Sequence, residues 1–296
     1  MMTSRQHYLG PLTDSSRWDQ ITIRPDDVFV VTPPKCGTTW MQTIVALLLS
    51  GDPDIAPDIS TNMPWVDIKH RDITELAGRL AAMSERRSMK SHTPLDGLPI
   101  DEQAHYICVF RHPLDAHFSF RRHVANIQMP LFKNWYPADE TGTAAFHHFL
   151  NGQAAGDDCD ALPLAHLLRH YKAAKARDAR PNVTLIHYAD MKRDLPGVFS
   201  KLAGLLDVSH DTDTMAALVQ AAGFDHMKQH AARYAPAGGR GFFKSDSAFF
   251  HSGTHGTWRG KLSDQELTAY DHMMDAQLTA SDRDWLENGS GTGIAP

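Results

Sequence analysis

Lys35, Gly37, Thr38 and Thr39 stand in a short polar turn between an apolar run and a helical pattern, and together they can grip a phosphate or a sulfate. A helix start offers unpaired N–H groups and the positive end of its dipole, so an oxyanion binds there readily. Gly37 lets the backbone turn closely around a ligand, Thr38 and Thr39 are cap-type residues, and Lys35 adds a full positive charge. The preceding Val28 to Val31 is an unbroken β-branched and aromatic run, as expected for a strand covered on both faces of a parallel sheet. Pro33 and Pro34 stop it. Taken alone, the same segment also fits an ordinary capped helix after a core strand.

Downstream, two more strands end in polar side chains. Residues 87 to 94 read as a short strand that closes on Lys90 and His92 before Pro94. Ligands of doubly wound sheets sit beyond the carboxyl ends of strands, where this pattern puts both residues. A lone histidine at such a place is most often a structural hydrogen-bonder. Tyr106 to Phe110 forms a third strand, followed at once by Arg111 and by Pro113, which suits the first turn of a helix. Ser119 then lies about two turns along, on a face that can look back at Arg111. The arginine fork donates two parallel hydrogen bonds and so suits a phosphate dianion. A fourth strand from Asn182 runs into Tyr188, and a helix is expected over 73 to 84 and another over 162 to 176.

Composition bounds the rest. The chain has 296 residues, no internal repeat and no evident linker, which favours one α/β domain over 1–296 with its core at 15–287 and a disordered Gly/Ser/Thr-rich tail at 288–296. A net charge of −6 argues against a broad nucleic-acid surface, so an anionic ligand needs a local basic pocket. Three cysteines without metal-type spacing, no secretory start and no long apolar run point to a reduced cytoplasmic protein without a transmembrane segment. The many histidines, among them His147, His148, His166 and His170, read as exposed helix residues. Trp65 reads as core or as a pocket wall, with core preferred, and 127 to 160 as a long aromatic, irregular insertion.

The order Pro34-Lys-Cys-Gly-Thr-Thr-Trp40 breaks the P-loop pattern of nucleoside triphosphatases, in which lysine follows the second glycine. It resembles the 5′-phosphosulfate loop of sulfotransferases that use 3′-phosphoadenosine-5′-phosphosulfate (PAPS), with Cys36 where serine is usual. Lys90-Ser-His-Thr-Pro94 is similar to the family's Lys-Thr-His-Leu-Pro, whose histidine is the general base. The Arg111 to Ser119 spacing resembles the family's 3′-phosphate signature, with His112 replacing asparagine. Trp40, Tyr188 and Phe224 match the aromatics that pack on adenine, while Ala222 falls where threonine is common. The last match, over 249 to 259, keeps Gly253, Gly256, Trp258 and Arg259. His251 and Ser252 replace the Arg-Lys pair that holds the 3′-phosphate, so either the nearby Arg240 or Lys244 supplies the missing charge or the cofactor binds more weakly.

The resemblance, spanning about 15 to 285, implies a P-loop-kinase-like sulfotransferase fold, with a central mostly parallel sheet flanked by helices. It implies metal-free, in-line transfer of a sulfuryl group from PAPS, leaving the bisphosphate PAP. His92, Lys35 and Lys90 would be catalytic; Lys35, Cys36, Gly37, Thr38, Thr39, Trp40, Arg111, Ser119, Tyr188, Phe224, His251, Ser252 and Gly253 would hold the cofactor. The acceptor is expected to be a small molecule or glycolipid, an apolar or aromatic alcohol on the evidence of the aromatic loop and Phe242-Phe243. The family's dimer signature is poorly kept, so no oligomeric state follows. Two other readings stay open: a small-molecule kinase, and a nucleotide-binding module that has lost its chemistry.

Overall fold

Val28–Val31 forms strand β1 at the middle of the sheet, and all four of its side chains are buried. The computed structural model describes residues 5–55, 59–128, 142–152, 158, 160, 162–236, 240–250 and 255–291. Within them Ser88–Ser91 is β2, His105–Phe110 is β3 and Val183–His187 is β4, in the order β2-β1-β3-β4. All three pairings are parallel. Parallel neighbours need crossovers, and helices supply them on both faces, so alternate strand residues feed two separate cores. Phe29, Val31, Met89, Tyr106, Cys108 and Phe110 pack into one of them. Val28, Val30, Ile107, Val109 and Ile186 pack into the other.

The chain leaves β1 for β2 on one side and then returns across β1 to β3 on the other. Strand order therefore reverses between β1 and β3, which opens a crevice at their carboxyl ends. The opposite end of the sheet is pinned by a buried ion pair between Asp27 and Arg87. The Arg87 Nε lies 2.8 Å from one carboxylate oxygen, and its Nη2 meets the other while also donating to the Thr22 carbonyl. Rigidity at the amino edge leaves the carboxyl edge to carry the site.

The helices expected from the sequence are Ile73–Ala82 and Leu164–Lys175. The insertion departs from its expected irregularity, because Thr143–Asn151 is a helix. Ala145, Phe146, Phe149 and Leu150 are its buried residues, a helical stripe that the aromatic content hid. Residues 129–141, where the rest of the aromatic insertion falls, lie outside the described residues. At the C-terminus the Ala280–Asn288 helix is followed by an anchored turn, since the Ser290 amide donates to the Asp190 carboxylate at 3.0 Å. The expectation of a disordered tail beginning at 288 is thus corrected for 288 to 290; residues 292–296 lie outside the described set.

Candidate active site

All four strand ends open into one cavity of about 360 Å³. β1 delivers Lys35, Gly37, Thr38 and Thr39, β2 delivers Lys90 and His92, β3 leads to Arg111 and Ser119, and β4 leads to Tyr188. Trp40 and Phe224 complete the wall. The predicted site residues are therefore gathered in space, with two exceptions. Cys36 turns into the core with no exposed surface, and burial pushes its thiol up to about 12. Its amide donates to the Pro33 carbonyl at 3.4 Å, so neither group faces a ligand. His251, Ser252 and Gly253 lie outside the described residues.

The loop after β1 is built for close backbone approach. Lys35 has φ of +66° and Gly37 φ of +113°, both in the left-handed region. A Cβ on Gly37 would stand 3.0 Å from the Tyr188 ring, so glycine answers both the dihedral and the space. The following helix, α1 (Thr38–Ser50), has no side-chain cap at its start, which leaves its first N–H groups for a ligand. The Thr38 hydroxyl meets that of Thr32, at the end of β1. Burial pushes the Lys35 ammonium down to about 7, aided by repulsion from Arg111, Lys90 and Arg122. Its Nζ rests 4.2 Å over the Phe249 ring. Cations crowded in this way fit an anionic ligand, which relieves their mutual repulsion.

His92 is held in a single tautomer. Its Nδ1 is 2.7 Å from the Thr32 carbonyl oxygen, which only accepts, so Nδ1 carries the proton and Nε2 keeps its lone pair. Nε2 faces the Lys90 ammonium at 3.4 Å. Burial first, and Lys90 second, hold the imidazole well below the ordinary histidine range. Lys90 is itself pushed down to about 8 by burial, partly offset by Asp67. Asp67 is buried beneath, accepting from the Ser91 hydroxyl at 2.6 Å and from the Thr93 hydroxyl.

One open reading is decided and one expectation corrected around this pair. Trp65 belongs to the cavity wall, its ring edge-on to His92 at 4.9 Å and 4.4 Å from the Lys90 Nζ. His166 and His170 are buried, not exposed, and His170 Nε2 donates to the His92 carbonyl at 2.7 Å.

At the other end of the cavity the buried Arg111 lies 4.4 Å over the Tyr188 ring, which meets Trp40 edge-on at 5.4 Å. Trp40 Nε1 donates to the Ala222 carbonyl at 2.9 Å, so the backbone of residue 222 positions the aromatic wall whatever its side chain. The Pro113–Asn126 helix begins here, and its Asp115 accepts from the amides of Gly256 and Thr257 and from the Thr257 hydroxyl, each at 2.7 Å. That carboxylate clamps the C-terminal Gly256–Trp258 turn beside the site. The Lys244 Nζ donates to the Ala125 carbonyl at 2.6 Å. Arg240 is exposed, and neither residue lines the cavity.

Sequence reasoning missed Asp115, Arg122 and His123. Asp115 and Arg122 stand four residues before and three after Ser119 on the same helix, so helical spacing alone could have found them. His123 lines the cavity with its ring 5.5 Å from Phe243, and its buried Nδ1 has no hydrogen bond among the described residues. Among the described residues no three His, Cys, Asp or Glu gather to hold a metal ion.

A glycolipid sulfotransferase of Mycobacterium bovis is 33% identical, over 97% of this chain and 96% of its own length. A rabbit amine sulfotransferase is 26% identical over 88% of this chain and 83% of its own length. A mouse sulfotransferase crystallised with PAP shares the fold at a TM-score of 0.69 and 22% identity, covering 90% of this chain and 88% of that one. Residues 25–282 match the model of the sulfotransferase domain, and the chain belongs to that family.

Proposed function

We propose that the chain moves a sulfuryl group from PAPS to a hydroxyl or amine of a small-molecule or glycolipid acceptor, with His92 as general base. One observation carries the reading: a neutral His92, tied through Nδ1–H to Thr32, turns an unprotonated Nε2 toward the Lys90 ammonium in the cavity shared with Lys35 and Arg111. When bound, the cofactor supplies the sulfuryl group and a nucleotide that leaves.

Lys35 sets a cation where the departing phosphate gains charge, which favours the transition state over the ground state. Lys90, the start of α1 and the Thr39 hydroxyl hold sulfuryl and phosphate oxygens. Arg111 and Ser119 receive the 3′-phosphate, and Trp40, Tyr188 and Phe224 flank the adenine. His92 Nε2 takes the acceptor's proton. An anion beside Lys35 and Lys90 cancels much of the positive field on His92, so its basicity rises when the site is charged with substrate.

The acceptor end of the cavity, with Trp65, Ile68, Phe120, Ile127, Phe242 and Phe243, is apolar. Together with the glycolipid relatives this supports an acceptor with a lipid or aromatic body. No helix among the described residues is long and apolar enough to cross a membrane, and Cys36 and Cys108 are buried free thiols. The free thiols support a reducing compartment such as the cytoplasm.

Isothermal titration with PAP, with ATP plus Mg²⁺, and with AMP tests the proposal. Preferential binding of PAP, lost in Arg111→Ala, is the expected result. Preference for ATP with Mg²⁺ would favour a kinase, and absence of nucleotide binding a degenerate module.

A further inference from the structure

The sequence lacks the Arg-Lys pair at 251 and 252, yet the cavity holds a cation that no motif announced. Arg122 lies one helical turn beyond Ser119, on the stripe that also carries the buried Asp115, and Ser119 and Arg122 both line the cavity. Its neighbour Arg121 points away, with a guanidinium nitrogen at the Gly142 backbone. Arg122 is half-buried, lines the cavity, and makes no hydrogen bond or ion pair with the described residues. Arg111 and Lys35 both feel its charge. The nearest opposing carboxylate, Asp115, is already committed to three donors from Gly256 and Thr257. Two guanidinium groups that repel each other share a partly dry site, an arrangement that a dianion would relieve.

We propose that Arg122 binds the 3′-phosphate of the nucleotide together with Arg111 and Ser119, replacing the charge missing at His251 and Ser252. This rests on the donor assignment above and deepens it: the phosphate is gripped by one helix, from its start and from its third turn, and needs no arginine from the C-terminal loop. Arg122 is thus a specificity residue that separates 3′-phosphorylated from plain adenine nucleotides.

The test is titration of the full chain with PAP and with AMP, for wild type, Arg122→Met and Arg122→Lys. Wild type should prefer PAP, and Arg122→Met should lose roughly 10- to 100-fold of PAP affinity, the range expected of a hydrogen bond to a charged group. Its AMP affinity should stay within about threefold, and Arg122→Lys should keep part of the preference by retaining charge. An unchanged PAP-to-AMP ratio in Arg122→Met overturns the role of Arg122 alone. Equal loss of both ligands also overturns it, by showing a wall residue and not a phosphate reader. A wild type that does not prefer PAP overturns the donor assignment itself.

Discussion

His92 Nδ1 stands 2.7 Å from the carbonyl oxygen of Thr32, so the end of β1 sets the protonation pattern of a residue at the end of β2. The same β1 end leads into the Lys35 loop. A proton acceptor and a half-buried cation are thereby referenced to one strand end.

Replacement of His92 by Ala removes the acceptor's proton sink and leaves the nucleotide groove intact. Turnover should fall by roughly 10²- to 10⁴-fold, the usual contribution of general base catalysis. PAP affinity, followed by titration calorimetry, should stay near wild type. A His92→Ala enzyme with wild-type rates would remove His92 from the mechanism.

Lys35 gives a pH dependence of definite sign. Its pKa is pushed down to about 7, below the ordinary lysine value, so above pH 7 the free protein holds it largely neutral. The unfolded chain keeps that proton up to the ordinary lysine range, so this site's contribution to folding stability rises with pH from about 7. Phosphate binding needs the cation and therefore draws a proton in. Titrations of PAP at pH 8 in buffers of different ionisation enthalpy should report proton uptake, diminished in Lys35→Met, and affinity should weaken from pH 7 to 9. No proton uptake in wild type would contradict the geometry.

Gly37→Ala places a methyl at a φ of +113° and 3.0 Å from the Tyr188 ring. Backbone strain of this kind costs about 1–3 kcal/mol, so the thermal midpoint should drop. Because the same turn shapes the phosphate seat and Tyr188 the adenine wall, PAP affinity should fall as well. A variant with unaltered melting and binding would show that the loop relaxes freely.

Arg87→Met tests the scaffold apart from the site. It leaves Asp27 charged and buried at the amino edge of the sheet, where loss of a partner costs about 3–5 kcal/mol. Urea unfolding should register that loss. PAP affinity of the folded fraction should be unchanged, because the pair sits at the end of the sheet remote from the cavity.

Each strand and the loop or helix after it were legible from local pattern. Apolar runs marked β1 and β3, Pro33 and Pro34 marked the end of β1, and Lys35, Gly37, Thr38, Lys90, Arg111 and Ser119 were candidates by residue type and order, whereas the roles of His92 and Tyr188 rested on the family resemblance. These features depend on neighbours within one turn or one strand, where side-chain spacing is set by the backbone repeat. What the tertiary structure decided depends on groups distant in the chain. The unprotonated nitrogen of His92 is chosen by a carbonyl 60 residues earlier, and its own carbonyl is held by His170, 78 residues later. Asp115 clamps a turn 142 residues away at Thr257, Cys36 faces the core, and Trp65 lines the cavity where a core position was preferred. Burial, tautomer and pKa are set by what surrounds a group in space, and that surrounding exists only once the chain has folded.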